Sequence, residues 1–250
     1  MSEAKRAPQR QTIRRAVIFV TFLLFPVVLN YLSPYLIIES AANGIINGSF
    51  VLFALLFLSA LFVGRLWCSW VCPGAGMQEA CFFINNKPAR GGKLDWIKWG
   101  IWLPWIGVIA WAAIAAGGYR TVDVFYRIES GVSVTDVFNY ITYYIVLGLV
   151  LVLSLWAGRR GFCHYGCWMA PFMILGRKVR NALNTPALRL EATPERCIRC
   201  HRCNRECPMS LDVEGMTLAG AMENSECILC GTCIDTCPKQ ALRYRFSTGK

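Results

Sequence analysis

Two cysteine runs carry the strongest chemical signal in this chain. Cys197, Cys200, Cys203 and Cys207 are followed by Pro208, and Cys227, Cys230, Cys233 and Cys237 by Pro238. Thiolates at this C-x2-C-x2-C-x3-C-P spacing hold iron–sulfur clusters, and in two-cluster modules the fourth cysteine of each run ligates the other cluster. The spacing predicts one [4Fe–4S] cluster on Cys197, Cys200, Cys203 and Cys237, and a second on Cys227, Cys230, Cys233 and Cys207. Structural zinc is the alternative, but zinc ligand pairs are usually separated by a longer insert. The segment Cys197–His201 also matches the attachment signature of a c-type haem. That reading leaves Cys203 and Cys207 idle, and Gly231 takes the place of His201 in the second run. No haem is expected, and His201 is read as lying beside the cluster or at the surface. Arg196, Arg199, Arg202 and Arg205 crowd the first run. They would raise the cluster potential, dock an acidic partner, or form a solvated basic face near anionic lipid.

A second set of thiols lies upstream. Cys68 and Cys72 stand in GRLWCSWVCPGAG, and Cys163 and Cys167 in RRGFCHYGCWMAP. Positions i and i+4 of a helix share a face, so the two pairs are expected to face each other. Four thiolates there would form a redox or metal site, holding a third cluster, another metal or a redox disulfide. The bland reading is small buried residues in packed segments, and the repetition argues against it. Trp67, Trp70, Phe162, His164, Tyr165 and Trp168 form a candidate quinol site, set against an aromatic belt at a membrane interface. His164 and Glu79 are the candidate proton acceptors. Cys81 has no counterpart in the repeat and is read as structural.

The elements that must position these groups are apolar. Hydrophobic residues make up 55% of the 250 and charged residues 16%, which argues for a membrane protein. Four uncharged stretches are each about long enough to cross a bilayer, which takes roughly 20 residues. They lie between Arg15 and Glu39, between Glu39 and Arg65, from Trp99 to Tyr119 and from Val137 to Gly158. Kinks are expected at Pro26 and Pro104. The first stretch is read as a span rather than a cleaved signal peptide. None of the spans contains a charged residue, which argues against an ion pathway. Neither of the two histidines lies in a span, which excludes a haem held by two histidines there.

Positive charge sets the direction. Lys5, Arg6, Arg10, Arg14 and Arg15 precede the first stretch. Arg65, Lys87, Arg90, Lys93 and Lys98 follow the second, and Arg159, Arg160, Arg177, Lys178 and Arg180 follow the fourth. The first loop has no Lys or Arg, and in the third Arg120 and Arg127 are offset by Asp123, Glu129 and Asp136. The expectation is a multi-pass protein of the inner membrane with both termini cytoplasmic, where thiols stay reduced. The fold class expected is mainly α: a four-helix transmembrane bundle of two parallel hairpin repeats, then an α+β ferredoxin-like domain. Residues 1–15 would be a cytoplasmic tail, 16–190 the four-span domain with both C-x3-C segments, and 191–250 the two-cluster domain. The net charge is +11, but no basic stretch is interleaved with aromatics, so no nucleic-acid partner is expected.

Apolar stretches followed by a repeated C-x3-C, then two ferredoxin cysteine runs, resemble the membrane ferredoxin-type quinol dehydrogenases of periplasmic nitrate reductase systems (NapH type). WCSWVCP is close to the family motif, and the resemblance covers nearly the whole chain. The second copy departs: Trp168 stands where the family has proline, and Pro171 comes later. Membrane regulators of nitrous oxide reduction and accessory proteins of haem–copper oxidase assembly share these parts. The resemblance implies electron transfer between membrane quinol and partner redox proteins. An electron relay, as a quinol dehydrogenase subunit or a simpler carrier, is the first expectation. A redox-active maturation factor for a metalloenzyme is the second, and a redox sensor lacks a recognisable output domain. Membrane lipid, quinone and a redox protein or subunit are the expected partners.

Overall fold

The computed structural model describes residues 9–249 apart from 130 and 136. Lys5 and Arg6 of the predicted tail and Asp136 of the third loop lie outside them. The chain is mainly helical. α1 (Gln9–Leu23) is followed by α2 (Phe25–Val28) and a 3-10 turn over Leu29–Leu32. The first apolar stretch is thus broken, with a 61° bend between Gln9–Leu23 and Phe25–Leu32. Pro26 lacks the N–H that would continue the helical ladder, and a new helix starts around it. α3 (Leu36–Ala42) and β1 (Ile45–Asn47) lead into α4 (Gly48–Val63), where Asn47 accepts the Phe50 N–H as an N-cap. α4 holds the second apolar stretch in 16 residues, about 24 Å at the helical rise. α5 (Leu66–Trp70) and α6 (Pro73–Ala80) follow.

A 3-10 turn at Gly92–Trp96 opens into α7 (Ile97–Ala115), through which Pro104 passes without a break. Next come β2 (Thr121–Asp123), α8 (Val137–Ala157), α9 (Gly161–Tyr165) and α10 (Ala170–Ala182). Two helices, Gly92–Ala115 and Asn139–Ala157, are long and apolar enough to cross a membrane, or three if the bent pair counts as one. Gly48–Val63 is apolar but shorter. Where four full spans were expected, the second apolar stretch yields only the shorter α4 and the first is interrupted. Trp111, Ile114, Ile145 and Trp156 point outward from the two long helices. In the C-terminal part, β3 (Ala187–Ala192) pairs antiparallel with β4 (Leu242–Ser247). Between them lie α11 (Arg202–Glu206), α12 (Val213–Leu218) and α13 (Thr232–Thr236).

The connections sort to two ends of the helical part. At one end β1 pairs parallel with β2, and Arg127 meets Glu39 at 2.7 Å. Asn30 donates to the Arg127 carbonyl at 2.6 Å. The first and third predicted loops therefore join each other. At the opposite end, the start of α1, the α5–α6 corner, the turn before α7 and the α9–α10 segment gather on the C-terminal part. Arg10 pairs with Asp235 at 2.5 Å, Gln11 donates to the Cys230 carbonyl at 3.0 Å, and Arg177 to the Cys227 carbonyl at 2.7 Å. Small residues let the helices approach. A Cβ on Gly76 would lie 2.2 Å from the Ile18 carbonyl, where α6 crosses α1. One on Gly176 would lie 2.5 Å from the Phe57 carbonyl, where α10 crosses α4.

Candidate redox sites

The eight cysteines of the two runs fall round two cavities. Cys207, Cys227, Cys230 and Cys233 line one of them. Cys197, Cys200, Cys203 and Cys237 line the other. Each run thus contributes three thiols to one cavity and its fourth to the other. The local cause is the same in both. His201 (φ 56°) and Gly231 (φ 76°) turn the chain in the left-handed region, and the short helices α11 and α13 begin there. Cys207 and Cys237 end those helices in extended geometry, as residues before proline prefer. His201 itself points to solvent, with Nδ1 2.9 Å from Glu214.

The two cavities differ in depth. All four thiols of the first are buried, whereas those of the second are half-exposed. Burial pushes the Cys203 thiol up to about 11 and the Cys207 thiol up to about 12. Such thiols ionise at neutral pH only beside a strong cation, and four sulfurs around one cavity fit an iron–sulfur cluster. The Ala241 N–H already points at Cys237 Sγ, 3.3 Å away.

A third cavity lies inside the helical part and is lined by Cys68, Cys72, Cys163 and Cys167 together. Cys68 sits in α5 and Cys72 caps α6, so this pair does not share one helix as expected. Pro73 forces Cys72 into extended geometry (φ −62°, ψ 121°) and turns the chain between the two. In the second copy Pro171 opens α10 as Pro73 opens α6, so the proline moved along the sequence still starts the following helix. Trp67, Phe162 and Trp168 line the cavity with Leu29, Leu32 and Val146. The indole N–H of Trp168 bonds the Leu32 carbonyl at 3.0 Å, while that of Trp67 is buried without a partner. Trp70, His164 and Tyr165 do not line it. Tyr165 donates to the Arg90 carbonyl, and His164 Nδ1 lies 2.6 Å from Asp95 in a separate cleft.

Side chains that spacing alone does not mark complete the thiol site. Gln78 is fully buried, donates to Cys163 Sγ at 3.2 Å and accepts the Phe162 N–H at 3.1 Å. Met173 Sδ is 3.8 Å from Cys68 Sγ. Arg160, from the second copy, donates to the Cys68 carbonyl at 2.6 Å and reaches Glu79 of the first. Glu79 also takes both terminal nitrogens of Arg14, at 2.8 and 2.9 Å. Burial alone would raise its pKa, but Arg160 and Arg14 outweigh that and hold Glu79 at about 2. It is a fixed counter-ion, not a proton acceptor at neutral pH. Arg65 and Lys98 likewise overcome the burial of Glu226 and hold it at about 2. Asp95, His164 and Glu226 lie close enough to hold a metal ion, but these two cations already neutralise Glu226, at 2.8 and 2.7 Å. Cys81, outside the cavity, is buried.

Residues 189–243 match the family described as a 4Fe-4S dicluster domain. Residues 48–90 and 138–186 each match a family described as a 4Fe-4S binding domain, so both copies of the C-x3-C hairpin answer to one description. An uncharacterized protein of Methanocaldococcus jannaschii is 24% identical, over 76% of each chain. YccM of Escherichia coli, named as a proposed electron transport protein, is 25% identical over 72% of this chain and 50% of its own. The methylamine utilization ferredoxin-type protein MauN of Methylobacillus flagellatus is 25% identical over 72% of this chain and 62% of its own. The chain thus spans about half to three-fifths of the length of these last two. No solved structure matches. The chain carries 4Fe–4S ferredoxin-type domains.

Proposed function

We propose that this chain is an iron–sulfur electron-transfer protein of the inner membrane that exchanges electrons between quinone and a redox partner. Cys197, Cys200, Cys203 and Cys237 hold one [4Fe–4S] cluster, and Cys207, Cys227, Cys230 and Cys233 the other. These clusters supply one-electron storage and transfer. The chain crosses the bilayer four times, through the bent α1–α2 pair, α4, α7 and α8, with both termini cytoplasmic. The gathering of the basic segments on the C-terminal part and of the two remaining loops at the other end supports this path. The short α4 is accommodated by local thinning of the bilayer.

The observation that carries the reading is the third cavity. It is apolar, lies in the helical part and brings four thiols against Trp67, whose N–H is free to donate to a quinone carbonyl. The protein's own contribution there is positional. Phe162 and Trp168 pack at 5.5 Å to flank the head group, Gln78 fixes Cys163, and Arg160 fixes the Cys68 backbone. From this cavity the route inward is short in chain terms: Arg65, three residues before Cys68, is clamped to Glu226, the residue before Cys227.

Iron analysis and EPR of the purified reduced protein test the cofactors. Two cubanes give roughly eight irons per chain, and about twelve would place a third cluster on the C-x3-C thiols. Stopped-flow oxidation of the reduced clusters by decylubiquinone tests the cavity. A rate that saturates with quinone is expected, and one that rises linearly without limit would refute a bound quinone.

A further inference from the structure

The cavity of Cys197, Cys200, Cys203 and Cys237 is the outer one. Among the described residues, no hydrogen bond or ion pair joins its lining to residues 9–182, whereas Cys227 and Cys230 of the inner cavity accept bonds from Arg177 and Gln11. Arg196 and Lys239 line it, Arg199 and Arg202 belong to the same cysteine run, all four are exposed, and none of them has an ion-pair partner among the described residues. Of the exposed arginines elsewhere, Arg243 and Arg245 meet Glu191 and Arg127 meets Glu39, while Arg15, Arg90 and Arg120 have no ion pair among the described residues. Ile198, beside Cys197, leaves 55% of its surface in water and lines the cavity with Arg196 and Lys239. An apolar centre with a charged rim is the make-up of a transient protein interface, and an unpaired basic rim selects an acidic partner.

We propose that the face built from Arg196, Ile198, Arg199, Arg202 and Lys239 docks an acidic one-electron carrier protein. This rests on the two-cluster reading above. The carrier would give up one electron to the group that Cys197, Cys200, Cys203 and Cys237 would hold, with no bond formed or broken and no proton moved. The inner cavity, which the helical part grips, would hold the next group in line. Anionic lipid is the poorer occupant, because the face makes no bond to the helical part whose outward apolar side chains would mark the bilayer.

The test uses the full chain in detergent and the double variant Arg196→Glu, Arg202→Glu. Anaerobic stopped-flow mixing with a reduced plant-type [2Fe–2S] ferredoxin, an acidic carrier of low potential, reads the second-order rate of cluster reduction. The expected rate drops about 10-fold in the variant, and the wild-type rate drops on the order of 10-fold from low to high salt. Iron content and reduction by dithionite stay as in the wild type. Equal rates in the two proteins would overturn the proposal. So would loss of binding to phosphatidylglycerol vesicles in the variant with no change in the ferredoxin rate, which would make the face a lipid contact. A wild-type protein without clusters would bring down the electron-transfer reading itself. One with clusters that still exchanges with decylubiquinone would leave that reading standing whatever the docking result.

Discussion

Replacing Glu79 by Gln removes one negative charge from between two buried guanidiniums. Arg14 and Arg160 are each at most 1% exposed, so neither can turn to water. Their pull takes the Glu79 pKa from 4.5 to about 2, which corresponds to about 3 kcal/mol at ~1.4 kcal/mol per pH unit. Breaking a buried pair by removing one partner costs about the same, ~3–5 kcal/mol. In a chain of this size 1 kcal/mol moves the melting midpoint by about 2–4 °C, so Glu79→Gln is expected to melt roughly 6–12 °C lower. The sign with pH follows from the carboxylate ionising more readily in the folded chain than in the unfolded one. Its contribution is complete above about pH 4.5 and fades as pH falls toward about 2. Thermal unfolding of both proteins in detergent, from neutral pH down to about pH 3, measures this, and the gap between them should close as acid is added. A variant melting within about 2 °C of the wild type, or a gap constant with pH, would refute the reasoning.

Cys237→Ser is expected to perturb the EPR signal of the outer cluster and Cys207→Ser that of the inner, each while the other signal persists; Cys237→Ser acting on the same signal as Cys227→Ser would overturn the crossed ligation. Trp67→Phe keeps the ring and removes the unpartnered donor, so quinone should exchange about 10-fold more slowly at unchanged iron content, the loss of about one hydrogen bond. A rate equal to the wild type would remove Trp67 from the site. Gly76→Ala drives a methyl into the Ile18 carbonyl and should destabilise by about 1–3 kcal/mol, seen as a lower melting midpoint; an unchanged midpoint would mean that α1 yields freely.

What could be read in advance and what could not have different physical origins. The two runs at Cys197 and Cys227 are legible because three thiols of each site fall in one short run, and the crossing of Cys207 and Cys237 follows from the repeat. The C-x3-C pairs are legible as a repeat, and Cys68, Cys72, Cys163 and Cys167 line one cavity. Their local geometry is not, since i and i+4 imply one helix and Pro73 breaks it. Arg65, Arg160 and Arg177 look in sequence like charges that only set a direction. Each is at most 3% exposed, and its partner, Glu226, Glu79 or Glu223, comes from another segment. Long-range pairing of that kind leaves no trace in spacing. Gln78 escaped for the same reason. The first apolar stretch hid its bend because composition records hydrophobicity and not continuity, though Pro26 stands beside the break.

The contacts of α1 also set an order in time. Gln11 is satisfied by the Cys230 carbonyl and Asp235, and Arg10 by Asp235. A helix that leaves the ribosome early is therefore finished only by a segment made more than two hundred residues later. Until that segment has folded, the Gln11 amide and the Arg10 guanidinium lack the partners they hold here, although Arg14 on the same end can already meet Glu79.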